Sequence, residues 1–418
     1  MPTFQAPRGT ADRLPAEQKY WRYLEDKAVS VARRFGYGRI DSPMFEDARL
    51  FVRGIGEGTD IVEKEMYVFE DRGGDLVTLR AEGTAPVCRA YLQHGMHNQT
   101  QPVRMYYLCP VFRYERPQAG RFRQHHQFGV EAIGDGDPSV DAEVIEVAWT
   151  FVHDIGLSDV TLVTNSIGDE QCRPQYIAAL KNYFDNMQGH LCQDCRTRLE
   201  RNPLRLLDCK VGTCRALGED APKSVECLCA DCQLHWDRVR SYLAANGIVH
   251  RVDHRLVRGL DYYTRTVFEI QPAIEGAQST ICGGGRYDGL IEQLGGRPTP
   301  GIGFGSGIER LTLNLQRAEI SVPDEPAPRY LIATIGDDAR VAGVHLAHQM
   351  RNAGVGAILA NGGRALRGQM RQASALGVEM VLILGEDEVR DGTVAVRDMN
   401  TSNQQTQNVG EFLSQISG

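Results

Sequence analysis

Between residues 14 and 35 the apolar positions recur at helical spacing. Trp21, Leu24, Ala28, Val31 and Phe35 fall on one stripe, and Pro15 stands where a first helical turn tolerates proline. The pattern predicts an amphipathic helix with one buried face. From 76 to 133 it becomes strand-like. Residues 104–134 read as two antiparallel strands joined by a loop at 116–120, where Pro117 and Gly120 supply turn chemistry. Side chains alternate along a strand, so Val111, Arg113 and Glu115 share one face of the first strand. On the second, Arg121, Arg123, His125, Gln127 and Glu131 share a face, and Phe122, Phe128 and Val130 take the opposite, core-directed one. A helix is expected over 141–154. Strand character returns at 254–270, followed by a glycine-rich stretch at 283–305 and a helix over 306–318.

Residues 321–329 (SVPDEPAPR) hold three prolines and few large apolar side chains, the composition of an interdomain linker. Beyond them, strands at 330–335, 356–359 and 380–384 alternate with helices at 339–353 and 365–376. That βαβαβ rhythm predicts a small α/β domain with a largely parallel sheet. Residues 168–250 stand apart from their surroundings, since they concentrate cysteine and charge, and read as an inserted subdomain. The expected parsing is an α+β unit over 1–320 containing that insertion, a linker over 321–329, and an α/β domain over 330–418.

A chain of 418 residues suits two or three domains. With 42% hydrophobic and 24% charged residues it has the balance of a soluble globular protein. No apolar run is long enough for a membrane-spanning helix, and residues 1–10 lack the apolar stretch of a signal peptide, so a cytoplasmic location and no membrane partner are the expectation. The formal charge of −8 argues against indiscriminate nucleic-acid binding but leaves room for a local basic groove. The eleven cysteines should then be thiols or metal ligands rather than disulfides.

The polar face of the predicted hairpin carries the candidate chemistry. An exposed charged strand pair would show the same alternation, but the mixture differs. Arginines suited to phosphate and carboxylate sit beside a glutamine and a glutamate, which suit an amine or an imidazole N–H. The sequence Phe112-Arg113-Tyr114-Glu115 resembles motif 2 of class II aminoacyl-tRNA synthetases, and its extension FRYERPQAGRFRQHHQ is similar to the histidyl-tRNA synthetase family. Further elements agree in order. They are Arg8-Gly9-Thr10 with Asp12, LRAEGT at 79–84, RGLDYYTRTVFE at 258–269, GGGRYDGL at 283–290, and GIGFGSGIERL at 301–311, which resembles motif 3. Ala81 and Gly283 are small-for-small departures from the family pattern. The C-terminal domain, with Gly385-Glu386-Asp387-Glu388, resembles the family's anticodon-binding domain.

The resemblance implies a class II catalytic domain, an antiparallel sheet flanked by helices, that makes histidyl-adenylate from ATP and histidine and loads tRNA(His). It implies Glu82, Gly83, Thr84 and Gln127 around the histidine α-amino group, with Glu131 and Tyr263 reading the imidazole. Tyr262 and Tyr263 are adjacent, so on a regular strand they would point apart unless a bulge turned both inward. Arg113 and Arg258 are implied as the catalytic pair at the α-phosphate and the histidine carboxylate, with Glu115, Arg121 and Arg310 also near ATP and Mg2+ accompanying it. Gln118 is implied at the tRNA acceptor end, and the segment around Pro43, residues 40–51, at a homodimer interface. The run of three glycines from Gly283 lets a backbone approach a ligand. Two C-x-x-C pairs, Cys192 with Cys195 and Cys229 with Cys232, together offer a tetrahedral structural zinc site, although the gap between them exceeds zinc-ribbon spacing. Cys88, Cys109, Cys172 and Cys282 are read as packing residues. The competing reading is an inactive paralogue that regulates ATP phosphoribosyltransferase. Such proteins typically lack the 258–263 element and the C-terminal domain, and both are present. A prolyl or threonyl specificity would share motifs 2 and 3 but not the Glu131 and Tyr263 pair.

Overall fold

The computed structural model describes residues 4–56, 59, 61–115, 121–273, 280–324 and 328–416. It divides into two compact units, Met1–Pro323 and Asp324–Gly418. In the first, a short 3-10 turn at Pro15–Glu17 leads into helix α1 (Gln18–Arg34), and Trp21, Leu24, Ala28 and Val31 are buried as the stripe required. After β1 (Gly38–Arg39), β2 (Phe45–Asp47), β3 (Tyr67–Glu70) and β4 (Leu76–Leu79) make a small antiparallel sheet against α2 (Ala48–Ile55). Helix α3 (Thr84–Gln93) follows β4.

The main sheet has eight strands. They are β1, β5 (Val103–Phe112), β6 (Gln124–Ile133), β7 (Val160–Ser166), β8 (His250–Val252), β9 (Thr264–Pro272), β10 (Cys282–Arg286) and β11 (Gly301–Gly307). Their spatial order is β1-β5-β6-β11-β10-β9-β7-β8, and only the edge pairs β1–β5 and β7–β8 are parallel. The β5–β6 hairpin pairs Val103 with Ile133 through Phe112 with Gln124. Its alternation divides the sheet as expected. Phe128, Val130 and Ala132 join Phe268, Ile270, Ile302 and Phe304 in a core closed by α1, α4 (Pro138–Asp154), α8 (Ala230–Ala245) and the helix Ile308–Arg317. Gln127, Gly303 and Gly305 face the opposite side, where a cleft opens.

Three expectations change. Residues 254–263 are loop rather than strand, and β9 begins only at Thr264. Phe122 precedes β6, escapes its alternation and lines the cleft, while the Arg123 guanidinium lies 3.7 Å above the Tyr114 ring. Between β7 and β8 the chain forms α5 (Arg173–Asp185), α6 (Gln193–Arg201), α7 (Gly212–Leu217) and α8, and Val239 and Leu243 of α8 belong to the core behind the sheet.

That core encloses an ion pair. Arg286 of β10 and Asp141 of α4 are both fully buried, with Arg286 Nε donating to Asp141 Oδ2 at 3.0 Å. His235 of α8 lies 2.9 Å from Asp141 Oδ1, and Arg286 also donates to the Asp135 carbonyl (3.2 Å) and to Asp288 (3.0 Å). Burial alone would raise the Asp141 carboxyl. The Arg286 charge and the His235 contact overcome it and hold the group well below the usual carboxylate range.

In the second unit, β12 (Tyr330–Thr334), β13 (Ala357–Leu359) and β14 (Met380–Leu384) are parallel, as the rhythm predicted. β15 (Thr393–Asp398) and β16 (Gln404–Asn408) extend the sheet antiparallel, giving the order β13-β12-β14-β15-β16. Helices Asp337–Asn352 and Leu366–Leu376 each pack with a hydrophobic cluster of the sheet.

Replacing Arg286 with Met should strand Asp141 without a cation and lower unfolding free energy by about 3–5 kcal/mol. Denaturant melts of Arg286→Met and of the double variant with Asp141→Leu test this. The double variant should recover most of the loss, and an unchanged single variant would remove the pair from its structural role.

Candidate active site

The cleft on the front of the sheet collects side chains from segments far apart along the chain. The turn after β4 supplies Glu82, whose Oε2 accepts from the Thr84 N–H (2.8 Å) and Oε1 from the Ala85 N–H (2.6 Å). Glu82 thus caps the first turn of α3, where free N–H groups favour an anion. It is 4% exposed, so a plain surface role is excluded. Burial pushes its carboxyl up, against the pull of those amides and of Arg113. Gly83 does not line the cleft. A Cβ there would stand 2.3 Å from the Tyr107 ring, so its glycine makes room for that tyrosine.

Glu131 of β6 lies under the cleft floor with no exposed surface. Its Oε1 accepts from Thr84 Oγ1 (2.7 Å) and the Tyr107 hydroxyl (3.2 Å), and Oε2 accepts from the Tyr287 hydroxyl (2.6 Å). Thr84, Tyr107 and Tyr287 line the cleft above it. The two glycines beside it are steric necessities: a Cβ at Gly303 would fall 1.9 Å from Glu131 Oε2, and one at Gly129 would fall 2.3 Å from Tyr107. Burial drives the Glu131 carboxyl up to about 8, the hydroxyl donors opposing it only in part.

Four arginines line the same cleft, namely Arg113, Arg121, Arg258 and Arg310. Each is held by a fixed partner. Arg113 Nε donates to the Ala81 carbonyl (2.8 Å), Arg310 Nη1 to the Thr280 carbonyl (2.9 Å), Arg121 pairs with Glu115 at 3.3 Å, and Arg258 pairs with Glu269 of β9. Glu269 is itself anchored by Gln271 and Thr280, both at 2.9 Å. Tyr262 and Tyr263 both enter the cleft, rings 4.7 Å apart, because they belong to the loop before β9 and not to the strand. The glycine run at Gly283 serves the protein's own side chains: a Cβ at Gly283 would meet the Arg258 guanidinium at 2.7 Å.

Sequence reasoning passed over Tyr107, Tyr287 and Glu309, and assigned no role to His125. His125 sits on the cleft wall, pushed down to about 4 by burial and by Arg113, so it is a neutral ring near pH 7. Glu309 accepts the His126 N–H at 2.9 Å and receives Arg13 at 3.1 Å, and Arg13 lies 3.3 Å over Trp21. Glu309 and Tyr287 stand inside the quoted motifs, which was their available signal. Gln118 lies outside the described residues.

The four-cysteine zinc reading needs correction. Cys192 and Cys195 begin α6, Cys229 and Cys232 begin α8, and the two pairs do not converge. Each meets other ligands closer in the fold: Cys209 and Cys214 for the first, Asp169 and Cys172 for the second. Cys172, read as a packing residue, is buried and also belongs to the second group.

The family profile described as histidyl-tRNA synthetase matches residues 9–169 and 215–311, and one described as anticodon binding domain matches 330–418. A histidine–tRNA ligase of Dehalococcoides mccartyi is 54% identical over 99% of both chains. One from Desulforamulus reducens is 49% identical over 97% of both. The crystal structure of an apo histidyl-tRNA synthetase from S. aureus superimposes with a TM-score of 0.84 at 37% identity, covering all of both chains.

Because Glu131 at about 8 lies above the value of roughly 4.3 for an unfolded glutamate, the folded state holds an extra proton between those values. Its contribution to stability therefore falls as pH rises from about 4 through 8. Glu131→Gln lacks that slope, so its stability relative to the unmodified chain should increase between pH 5 and pH 9 in urea melts. A constant difference would show that Glu131 does not change protonation on folding.

Proposed function

We infer that the chain, which belongs to the histidyl-tRNA synthetase family, is a histidine–tRNA ligase: ATP and histidine give histidyl-adenylate and pyrophosphate, and the histidyl group then passes to the 3′ end of tRNA(His). The observation that supports this most is that one cleft joins four arginines with a polar recess lined by Glu82, Thr84, Gln127, Tyr262 and Tyr263. A nucleotide triphosphate needs the first and a small zwitterion with a polar ring needs the second.

In this reading Glu82, Thr84 and Gln127 hold the histidine ammonium, a charge-assisted contact that suits a carboxylate already aligned by the α3 amides. Tyr262 and Tyr263 flank the imidazole, and Glu131 beneath the floor orients the Thr84, Tyr107 and Tyr287 hydroxyls that face it. A recess closed by hydrogen-bonding groups rejects apolar rings, because those groups would be left unpaired. Arg113 aligns the histidine carboxylate with the α-phosphate. The carboxylate oxygen attacks phosphorus in line, the bond to pyrophosphate breaks, and Arg258 takes up the charge that develops on the phosphoryl oxygens. Arg258 comes preset by Glu269, so little reorganisation accompanies the step. Arg310, Arg121 and Glu115 flank the nucleotide. Mg2+ would travel with ATP and neutralise phosphate charge. Glu115 would hold it, as a cleft carboxylate whose Oε2 is buried without a hydrogen bond and would be shared with the Arg121 guanidinium 3.3 Å away.

The cleft continues past Lys210, Arg215 and Arg255, a basic path that suits the acceptor arm of the tRNA; Gln118 would contact that acceptor end. The C-terminal unit reads the anticodon. The active form is a homodimer joined through the segment around Pro43, where Met44, Phe45, Phe69 and Leu76 leave apolar surface exposed. The site is placed in the cytoplasm with the rest of translation; no described helix is long and apolar enough to cross a membrane.

ATP–pyrophosphate exchange tested with each of the twenty amino acids should proceed with histidine alone. Exchange with another amino acid would overturn the recess assignment, and none from a folded sample would overturn the activity. Arg258→Ala should lower the exchange rate by about 10²–10³-fold with its melting curve unchanged; near-full activity would remove it from the developing charge. Light scattering should give twice the 46.4 kDa chain mass, falling to one chain in the Phe45→Asp, Phe69→Asp variant.

A further inference from the structure

The helices between β7 and β8 carry eight of the eleven cysteines. Among the described residues, seven of these collect in two places, one of them with an aspartate. Cys192 and Cys195 at the start of α6 meet Cys209 and Cys214 from the turn before α7 and from α7 itself. Asp169 and Cys172, just after β7, meet Cys229 and Cys232 at the start of α8. In each group the four ligand atoms lie within 4.8 Å of one another.

The spacing matches a single ion and not a disulfide. Cys192 Sγ and Cys209 Sγ stand 3.9 Å apart, against roughly 2.05 Å for bonded sulfurs. Metal–sulfur bonds of about 2.3 Å in a tetrahedron put sulfurs about 3.8 Å apart. Local backbone geometry agrees. Cys192 and Cys229 each sit at a helix N-cap in nearly the same extended conformation, φ −65 ψ 164 and φ −69 ψ 168. In each knuckle the N–H of the second cysteine is directed at the sulfur of the first, and the Cys192 N–H lies 3.2 Å from Cys214 Sγ. Such N–H to sulfur contacts orient thiolates toward a metal. In the second group Cys172 Sγ is 3.5 Å from Asp169 Oδ1, and Asp169 Oδ2 accepts from Arg265 at 3.2 Å, which sets a positive charge beside an anionic cluster.

We propose that this chain binds two structural zinc ions, one on Cys192, Cys195, Cys209 and Cys214, the other on Asp169, Cys172, Cys229 and Cys232. All four positions of each site are filled by protein, which suits a structural and not a catalytic ion. The first zinc closes the loop joining α6 to α7. The second clamps the inserted helices at their root, fastening the chain that leaves β7 to the chain that enters α8. That root also supports the tyrosine loop, since Arg173, next to Cys172, donates to the Tyr263 carbonyl at 2.6 Å.

Elemental analysis of the full chain, purified without chelator or added metal, tests this independently of any aminoacylation activity. About two zinc ions per chain are expected, about one in Cys209→Ser or in Cys229→Ser, and none in the double variant. Two zinc ions retained in either single variant, or one or no zinc in the unmodified chain, overturns the proposal. Should a variant fail to fold, the unmodified chain still decides it: titration with a mercurial in the presence of a zinc-binding dye should release zinc in step with thiol modification. Free reaction of the thiols with no zinc released overturns it as well.

Discussion

The Arg286–Asp141 pair is the constraint on which the first unit turns. It joins a central strand to the helix behind the sheet, and through His235 to the helix that returns from the inserted segment. Two unsolvated charges are tolerable only when each is fully engaged. Arg286 meets that demand by also holding the Asp135 carbonyl and Asp288, and Asp288 in turn accepts the Gly301 N–H at the start of β11. One guanidinium thus fixes the approach of β10 and β11, the strands whose glycines form the floor of the cleft.

On that floor the site's electrostatics are set before any substrate arrives. The arginines are not held by one another. Backbone carbonyls of the 81 and 280 positions and the carboxylates of Glu115 and Glu269 fix them, so four like charges coexist around one cleft. Beneath them, Glu131 collects three hydroxyls and stays protonated near neutral pH. In the proposed reading the cationic rim suits a polyanion and the neutral base suits a ring with N–H groups.

Much of this was legible in the sequence, for identifiable reasons. The period-2 alternation of the hairpin assigned Phe128 and Val130 to the core and Gln127 and Glu131 to the opposite face, because regular strands obey the pleat. The same rule failed at Phe122 and at Tyr262, where the chain is loop and periodicity carries no direction. The βαβαβ rhythm gave the parallel part of the second unit. It missed both antiparallel strands, β15 and β16, the second of which, QQTQN, has no apolar alternation to read. The cysteine pairing was out of reach, since spacing along the chain does not tell which helix starts are neighbours in space, and Asp169 and Cys172 announce themselves only once β7 and α8 are brought together.

Glu82 links folding to recognition. Its carboxylate closes the first turn of α3 and also lines the recess. In the proposed reading this residue grips the ammonium group that every amino acid carries, so a change here would fray the helix that carries Thr84 and loosen that grip together. Loss of the grip would therefore surface in evolution as loss of protein before it surfaced as loss of activity, and the common part of amino-acid recognition is shielded by the cost of misfolding.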